Sequence, residues 1–403
     1  MHASPLPARS PDGPTDGPVA GRRQFIRLVG GGLVLAAAGT VAGCGSDPPE
    51  EAVRAWQTPG AESDVRRFML AHALLAPNPH NRQPWIADLT EPDSIHLVCD
   101  GERLLPETDP FGRQILIGCG AFIELAVIAA TQRGIAVTVD LFPGGAPAPE
   151  ALPKGTRVAS LRLGSAGSAR PDPLHDQITR RHTRRSPYAA GRALPAPLTQ
   201  TWASTADASG MRSGIVMDEK ALPPIRRITR EAFEIECVTP RTWLESARLI
   251  RIGPEAILAH RDGISLNSLK IRFAHAAGLF DPMKVPQRGS SDLQRIMESW
   301  APWETGSGYL WMATKGNSRA AQVAAGRTYV RTHLQATAAG VDMQPLSQAL
   351  QEFPEMRGPR QALHHALGID PQRETVQMLA RVGFSTEPAG PSPRRELRDL
   401  LRT

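Results

Sequence analysis

Two segments of this chain close a long helix rich in small residues on a glycine and pass directly into a strand. Ala130-Thr131-Gln132-Arg133-Gly134-Ile135 does so in the first half, and Ala336-Thr337-Ala338-Ala339-Gly340-Val341 in the second. Glycine just past a helix end accepts the left-handed backbone that stops it. Each segment therefore predicts a helix–turn–strand unit. A chain that mixes such units with alternating strands reads as mixed helix and strand rather than a coiled coil. Any helix-to-strand turn can produce such an echo, so alone it carries little; the motifs below give it meaning.

Periodicity extends this reading along the chain. Val65, Phe68, Met69, His72 and Leu75 share one face of a helix predicted over 62–75, which must stop before Pro77. Further helices are predicted over 109–133, from 173 to about 181, and over 197–208, 223–236, 240–250, 319–339 and 360–367. Strands are predicted over 83–89, 94–99, 135–142, 157–163, 308–314 and 375–384. Within the 109–133 helix, Gly118, Gly120 and Ala121 permit close backbone approach. Residues 259–305 are poorly periodic, with Trp300 and Trp303 near their end.

The amino terminus reads as an address. Arg22-Arg23-Gln24-Phe25-Ile26 precedes a weakly apolar run, Leu28 to Ala38, that is too short to span a bilayer. It resembles a twin-arginine export signal. Val41-Ala42-Gly43-Cys44 resembles a lipobox, which implies lipidation at Cys44. Residues 1–44 would then be signal and 45–61 a polar tether. The resemblance implies export of a folded, cofactor-bearing protein by the twin-arginine machinery to the periplasm or cell envelope, with a lipid anchor as its membrane contact.

Charge excludes one class of partner. The net charge is +6 over 403 residues, of which Arg9, Arg22, Arg23 and Arg27 against Asp12 and Asp16 contribute 4 − 2 = +2 before Cys44. The remaining +4 is too weak for nucleic acid. No zinc, phosphate-loop or nucleophile-elbow pattern occurs, so hydrolase and metal readings lack support. His364-His365 reads as a helix end. Cys99 and Cys119 read as buried thiols, with pairing after export left open.

Three polar segments remain. Pro77-Asn78-Pro79-His80-Asn81-Arg82-Gln83-Pro84-Trp85 is an amide-rich loop between helix and strand, and Asn81 and Gln83 offer both donor and acceptor for a heteroaromatic edge. Arg180-Arg181-His182-Thr183-Arg184-Arg185 can cradle a phosphate. Ser392-Pro393-Arg394-Arg395 offers a second arginine pair. The blander readings are an ordinary turn, a solvated basic loop and a solvated tail.

Together these segments resemble the FMN-binding nitroreductase family. Arg181, His182, Thr183 and Arg185 match its opening phosphate signature. Pro77, Asn78, Pro79, Asn81 and Gln83 fall in its Asn-x-Gln-Pro-Trp segment, which reaches the flavin from the other subunit. Pro345, Leu346 and Ser347 look like the loop against the isoalloxazine ring, and Arg394 and Arg395 like the terminal phosphate clamp. The resemblance implies FMN as cofactor, a small-molecule electron acceptor, and no side-chain nucleophile, because the flavin carries the chemistry.

One departure from the family is informative. The Asn-x-Gln-Pro-Trp segment lies in the first half and the phosphate loop in the second, whereas ordinary members are homodimers of one module. This resembles the fused, Acg-like subgroup, which implies an α+β fold (an α/β/α sandwich), nitroreductase-like, of two tandem modules, 62–168 and 169–403, in a monomeric pseudo-dimer. One FMN site would then remain between them, with 259–305 as a candidate lid. Two rival readings stay open: a flavin-sequestering protein without turnover, and a structural lipoprotein that has lost the site.

Overall fold

The computed structural model describes residue 1, residues 47–57, 59–388 and 390–402. The export signal expected over 1–44 and the lipid attachment expected at Cys44 therefore lie outside the described residues, apart from Met1.

Helix α1 (Val65–Ala73) starts where the Asp64 carboxylate accepts hydrogen bonds from the Arg66 and Arg67 backbone amides, as N-capping requires. Strands β1 (Trp85–Asp88) and β2 (Ser94–Cys99) form a hairpin in which Trp85 faces Cys99. The long helix α2 (Arg113–Thr131) follows, then β3 (Ile135–Leu141) and β4 (Arg157–Ala166). Gly134 turns out of α2 with φ +68°, the left-handed backbone read from the sequence. The four strands form one antiparallel sheet in the order β1-β2-β4-β3.

The second half begins with α3 (Ala196–Ala208) and β5 (Arg212–Val216). Residues 217–307 then interpose α4 (Leu222–Val238), α5 (Pro240–Arg248), β6 (Ile250–Ile252), α6 (Gly253–His260), β7 (Ile264–Leu266), α7 (Leu269–Ala276) and α8 (Ser291–Glu298). Strand β8 (Gly308–Lys315), helix α9 (Arg319–Ala338), β9 (Asp342–Pro345), α10 (Arg357–Ala366) and β10 (Glu374–Gly383) complete it. The second antiparallel sheet runs β5-β8-β10-β9. Strand for strand this repeats the first order, with α9 following β8 as α2 follows β2. Gly340, at φ +67°, ends α9 as Gly134 ends α2.

The α+β expectation holds, and most boundaries fall within a few residues of those read from periodicity. Three expectations change. The 173–181 helix shortens to a single turn, Pro173–Gln177, capped by Asp172 through the Leu174 amide. Residues 259–305 are not irregular: they carry α7 and α8, each opened by a serine whose hydroxyl accepts from the third residue on. Residues 45–61 are not a free tether, because Glu50–Val53 and Arg54–Trp56 are helical and Ala52, Val53 and Trp56 are buried. That apolar trio lies on one face, so docking removes it from water.

Candidate functional site between the two halves

A cavity of about 640 Å³ opens between the halves, within the range of small-molecule sites. Its walls come from the loop after α1, from α2, from the Arg180–Arg185 loop, from α4 and α9, and from the tail. Among the residues expected from sequence, Pro77, Asn78, Pro79, Asn81, Arg181, His182, Thr183, Arg185, Pro345, Ser347 and Arg394 line it. Gln83, Leu346 and Arg395 do not.

The loop after α1 is shaped by its own amides. Asn78 Oδ1 accepts from the Gln83 amide at 2.7 Å, while Asn78 Nδ2 donates to Ala76 O at 3.1 Å. His80, Asn81 and Gln83 all take positive φ, 49°, 50° and 51°, a conformation that costs free energy in non-glycine residues. The tail stabilises it. Asn81 Nδ2 donates to Pro393 O at 3.0 Å, and Gln83 Oε1 accepts from the Arg395 amide at 2.8 Å. Gln83 is fully buried and its Nε2 donates to Arg261 O at 2.8 Å, so it fastens the tail and the inserted segment rather than addressing a ligand. His80 Nε2 lies 2.9 Å from Ser246 Oγ, and burial beside Arg82 and Arg185 lowers its pKa to about 4, leaving a neutral ring.

The arginines divide into committed and uncommitted donors. Arg394 is buried, and its Nε donates to Leu74 O at 2.9 Å and its Nη2 to Leu75 O at 3.1 Å and Ala76 O at 3.3 Å. Its Nη1 serves Asn81 Oδ1, Ser392 Oγ and Pro393 O. It thus satisfies the carbonyls just past the end of α1, as a cation at a helix carboxy terminus should. Arg395 turns away, donating to Gln83 O at 3.3 Å and to Asp399 O. The expected terminal phosphate clamp is therefore replaced by a structural fastening, because every Arg394 nitrogen already has a backbone or amide partner.

Arg181 and Arg185 differ. Arg181 is buried and gives one bond, Nη2 to Leu75 O at 3.0 Å, while its Nε has no partner. Burial lowers its pKa to about 10, which leaves it cationic at neutral pH. Arg185 lines the cavity, and desolvation of its guanidinium lowers its pKa. Neither Arg181 nor Arg185 forms an ion pair among the described residues. A buried, unpaired guanidinium with an orphaned donor is costly unless an anion completes it. Thr183 stands between them on the cavity wall. Arg381, fully buried under this loop, holds it by donating to Ser186 O at 2.8 Å and to Gln344 Oε1 at 2.6 Å.

Several cavity residues escaped sequence reading. Trp56 packs against the His182 ring, 4.8 Å between centroids, with Arg394 5.0 Å from its ring centre and Nε1 donating to Ser392 O at 2.9 Å. His182 is held neutral, its pKa lowered to about 3 by burial and by Arg181, Arg184 and Arg394. Arg113 reaches from α2 into the second half, donating to Leu350 O and Gln377 O and pairing with Glu352 at 3.1 Å. At the far end, Phe233, Glu236 and Cys237 present one face of α4 beside Trp243 and Trp303. Glu236 accepts from Gln351 Nε2 at 2.9 Å, and burial pushes its pKa up to about 7. The i, i+3, i+4 spacing of that trio was readable as a helix face, but nothing local marked the face as a cavity wall.

Pro345 and Ser347 reach the cavity, whereas Leu346 is core and its amide donates to Leu379 O at 2.8 Å. Cys99 and Cys119 are buried free thiols. No cluster of metal-ligating side chains occurs among the described residues.

No family model matches the chain. Sequence comparison finds the Mycobacterium tuberculosis protein named "Putative NAD(P)H nitroreductase Rv3131", 28% identical over 349 residues, covering 84% of this chain and 92% of that one. "Putative NAD(P)H nitroreductase acg" of the same organism is 36% identical over 81 residues, 20% of this chain and 24% of its own. Among solved structures, the FMN-dependent nitroreductase NfnB of Mycobacterium smegmatis aligns with 56% of this chain and 96% of its own, at 15% identity and a TM-score of 0.36. The similarity to the Rv3131 protein is thus spread over most of both chains.

Proposed function

We propose that the protein is an exported FMN-binding oxidoreductase that holds one flavin in the cavity between its two halves. The observation that carries the reading is the pair Arg181 and Arg185: cationic, without carboxylate partners among the described residues, and one of them with an orphaned buried nitrogen. Flavin mononucleotide supplies a phosphate for that charge and a flat heteroaromatic body for the rest of a cavity this size. The names of the M. tuberculosis relatives agree with redox use of such a group.

In this reading Arg181, Arg185 and the Thr183 hydroxyl would hold the phosphate, and His182, neutral and packed against Trp56, would flank it without adding charge. The loop Pro77–Asn81 from one half, and Pro345 and Ser347 from the other, would hold the ring. The bound flavin supplies hydride and electron transfer. The chain's residues bind, orient and exclude water: Arg394 and Gln83 keep the amide loop in its left-handed conformation, and Arg381 fixes the phosphate loop from below. The repeated strand order supports descent from two fused modules. The sequence before Asp47 supports twin-arginine export and lipidation at Cys44.

One observation favours a second reading, flavin binding without turnover. The inserted segment contributes Phe233, Trp243 and Trp303 to the cavity, and Asp47 and Pro48 border it, leaving less room for a nicotinamide. FMN content of the purified protein tests both readings. One FMN per chain is expected; two, or no uptake of added FMN, overturns the proposal. Reduction by dithionite but not by NADPH or NADH selects the second reading.

A further inference from the structure

Large apolar side chains are exposed in one short stretch. Leu269 is 63% exposed, Phe273 59%, Leu279 40% and Met283 42%, and these four are the majority of the seven large hydrophobics so exposed among the described residues. Leu269 and Phe273 are one turn apart on the same face of α7, while Ile271 and Ala274 on the other face are buried. The helix ends in a glycine-terminated motif in which Gly278, at φ +67°, donates to His275 O at 3.0 Å and Leu279 to Ala274 O at 2.8 Å. That turn keeps Leu279 at the end of α7, and His275 Nδ1 bonded to Phe280 O at 3.0 Å holds the following loop back against it. The apolar stretch is thus a built surface.

Its charge is mostly positive. Lys270 and Arg272 are exposed and form no ion pair among the described residues, and the exposed Asp281 at the Met283 end is the one acidic residue from Ile264 to Met283. An amphipathic helix with exposed Leu and Phe beside unpaired Lys and Arg has the chemistry of a surface that lies on anionic lipid.

The chain's own path selects that occupant. Asp47 begins the continuous folded body, and its carbonyl accepts from Asn267 Nδ2 at 2.6 Å, two residues before Leu269. Asp47 therefore lies beside this face. Cys44 precedes Asp47 by three residues, a reach of about 11 Å when extended.

We propose that the face formed by Leu269, Phe273, Leu279 and Met283, with Lys270 and Arg272, is a peripheral contact for an anionic membrane surface, set beside the point where the amino-terminal segment joins the body. The face is independent of the flavin reading. It orients the protein on the bilayer, since a single lipid chain fixes distance but not orientation.

The test uses the full chain with Cys44→Ser, so that no acyl group contributes, and vesicles of phosphatidylglycerol or phosphatidylcholine. The expected result is partition onto phosphatidylglycerol that Leu269→Ser with Phe273→Ser weakens about ten-fold or more. Lys270→Glu with Arg272→Glu should weaken it on anionic vesicles alone. Hydrogen exchange over 269–279 should slow on vesicles in the parent and not in the serine variant. Both pairs are exposed, so a matching melting temperature confirms that folding is intact. Equal partition of parent and serine variant, or no vesicle-dependent protection of 269–279, overturns the proposal. So does a dimer in solution that the serine substitutions abolish and vesicles fail to dissociate, which would assign the face to a second copy of the chain.

Discussion

Gly120 of α2 and Gly326 of α9 bring the two long helices together backbone to backbone. A Cβ on Gly120 would stand 2.0 Å from Val323 O, and one on Gly326 would stand 1.8 Å from Ile117 O. In a helix interior, glycine to alanine ordinarily gains about 1 kcal/mol. Here the obstruction is the carbonyl of the facing helix, which no rotamer change relieves, so overpacking of about 3 kcal/mol decides the sign. Gly120→Ala or Gly326→Ala is expected to lower the urea midpoint and the melting temperature. An unchanged or raised midpoint would mean the helices separate at little cost.

Arg185 and Arg394 separate binding from folding. Arg185→Ala removes an uncommitted cation and should weaken FMN affinity about 10- to 100-fold, the worth of one or two charge-assisted hydrogen bonds, with little change in melting temperature. Arg394→Ala strips partners from the carbonyls of Leu74, Leu75 and Ala76 and should cost about 3 kcal/mol of stability. Fluorescence titration with FMN beside thermal melts checks both. Equal losses of affinity without loss of stability would return Arg394 to the ligand.

Glu236 makes stability fall as pH rises. Its pKa is raised from the ordinary 4.5 to about 7 in the folded protein, so the native state holds a proton that the unfolded chain releases. Its stabilising contribution is complete below about pH 4.5 and is lost as pH rises through about 7. Asp109, raised from 3.8 to about 6, acts in the same direction over a lower window. The stability difference between the native sequence and Glu236→Gln, read from urea midpoints between pH 5 and 8, should shift toward the variant as pH rises through about 7. Identical slopes would show that Glu236 titrates normally.

His182 and His80 act oppositely. Folded pKa values of about 3 and about 4 lie below the ordinary 6.5, so their contribution is present above 6.5 and is lost as pH falls toward those values. His182→Phe keeps a ring against Trp56 and removes the titration. Its stability should decline less between pH 6.5 and 4, and a slope matching the unsubstituted protein would exclude His182 from acid sensitivity.

Local pattern made much of the fold legible. The 94–99 strand matches β2 residue for residue, and the glycine-terminated helices anticipated the paired turns at Gly134 and Gly340. Strand β5 escaped because Gly214 interrupts its alternation for a long-range reason: a Cβ there would meet the Trp311 ring at 2.6 Å. For the site, residue types located the amide loop and the basic loop. They could not tell a free arginine from a committed one, since Arg394 and Arg181 both bond to Leu75 O and differ in what else surrounds them. Trp56 was invisible for a similar reason, its partner Ser392 being 336 residues away.

The tail's route sets an order of events. Arg394 donates its amide to Ala52 O, and the Arg402 amide reaches Ala87 O, so residues 394–402 complete the wall of the first half. On the ribosome the amino-terminal half must wait, with the carbonyls after α1 uncapped and the amide loop unfastened, until residues 392–402 are translated. The cavity is consequently finished only after residues 392–402 have been made, and a change that removed them would damage the amino-terminal half.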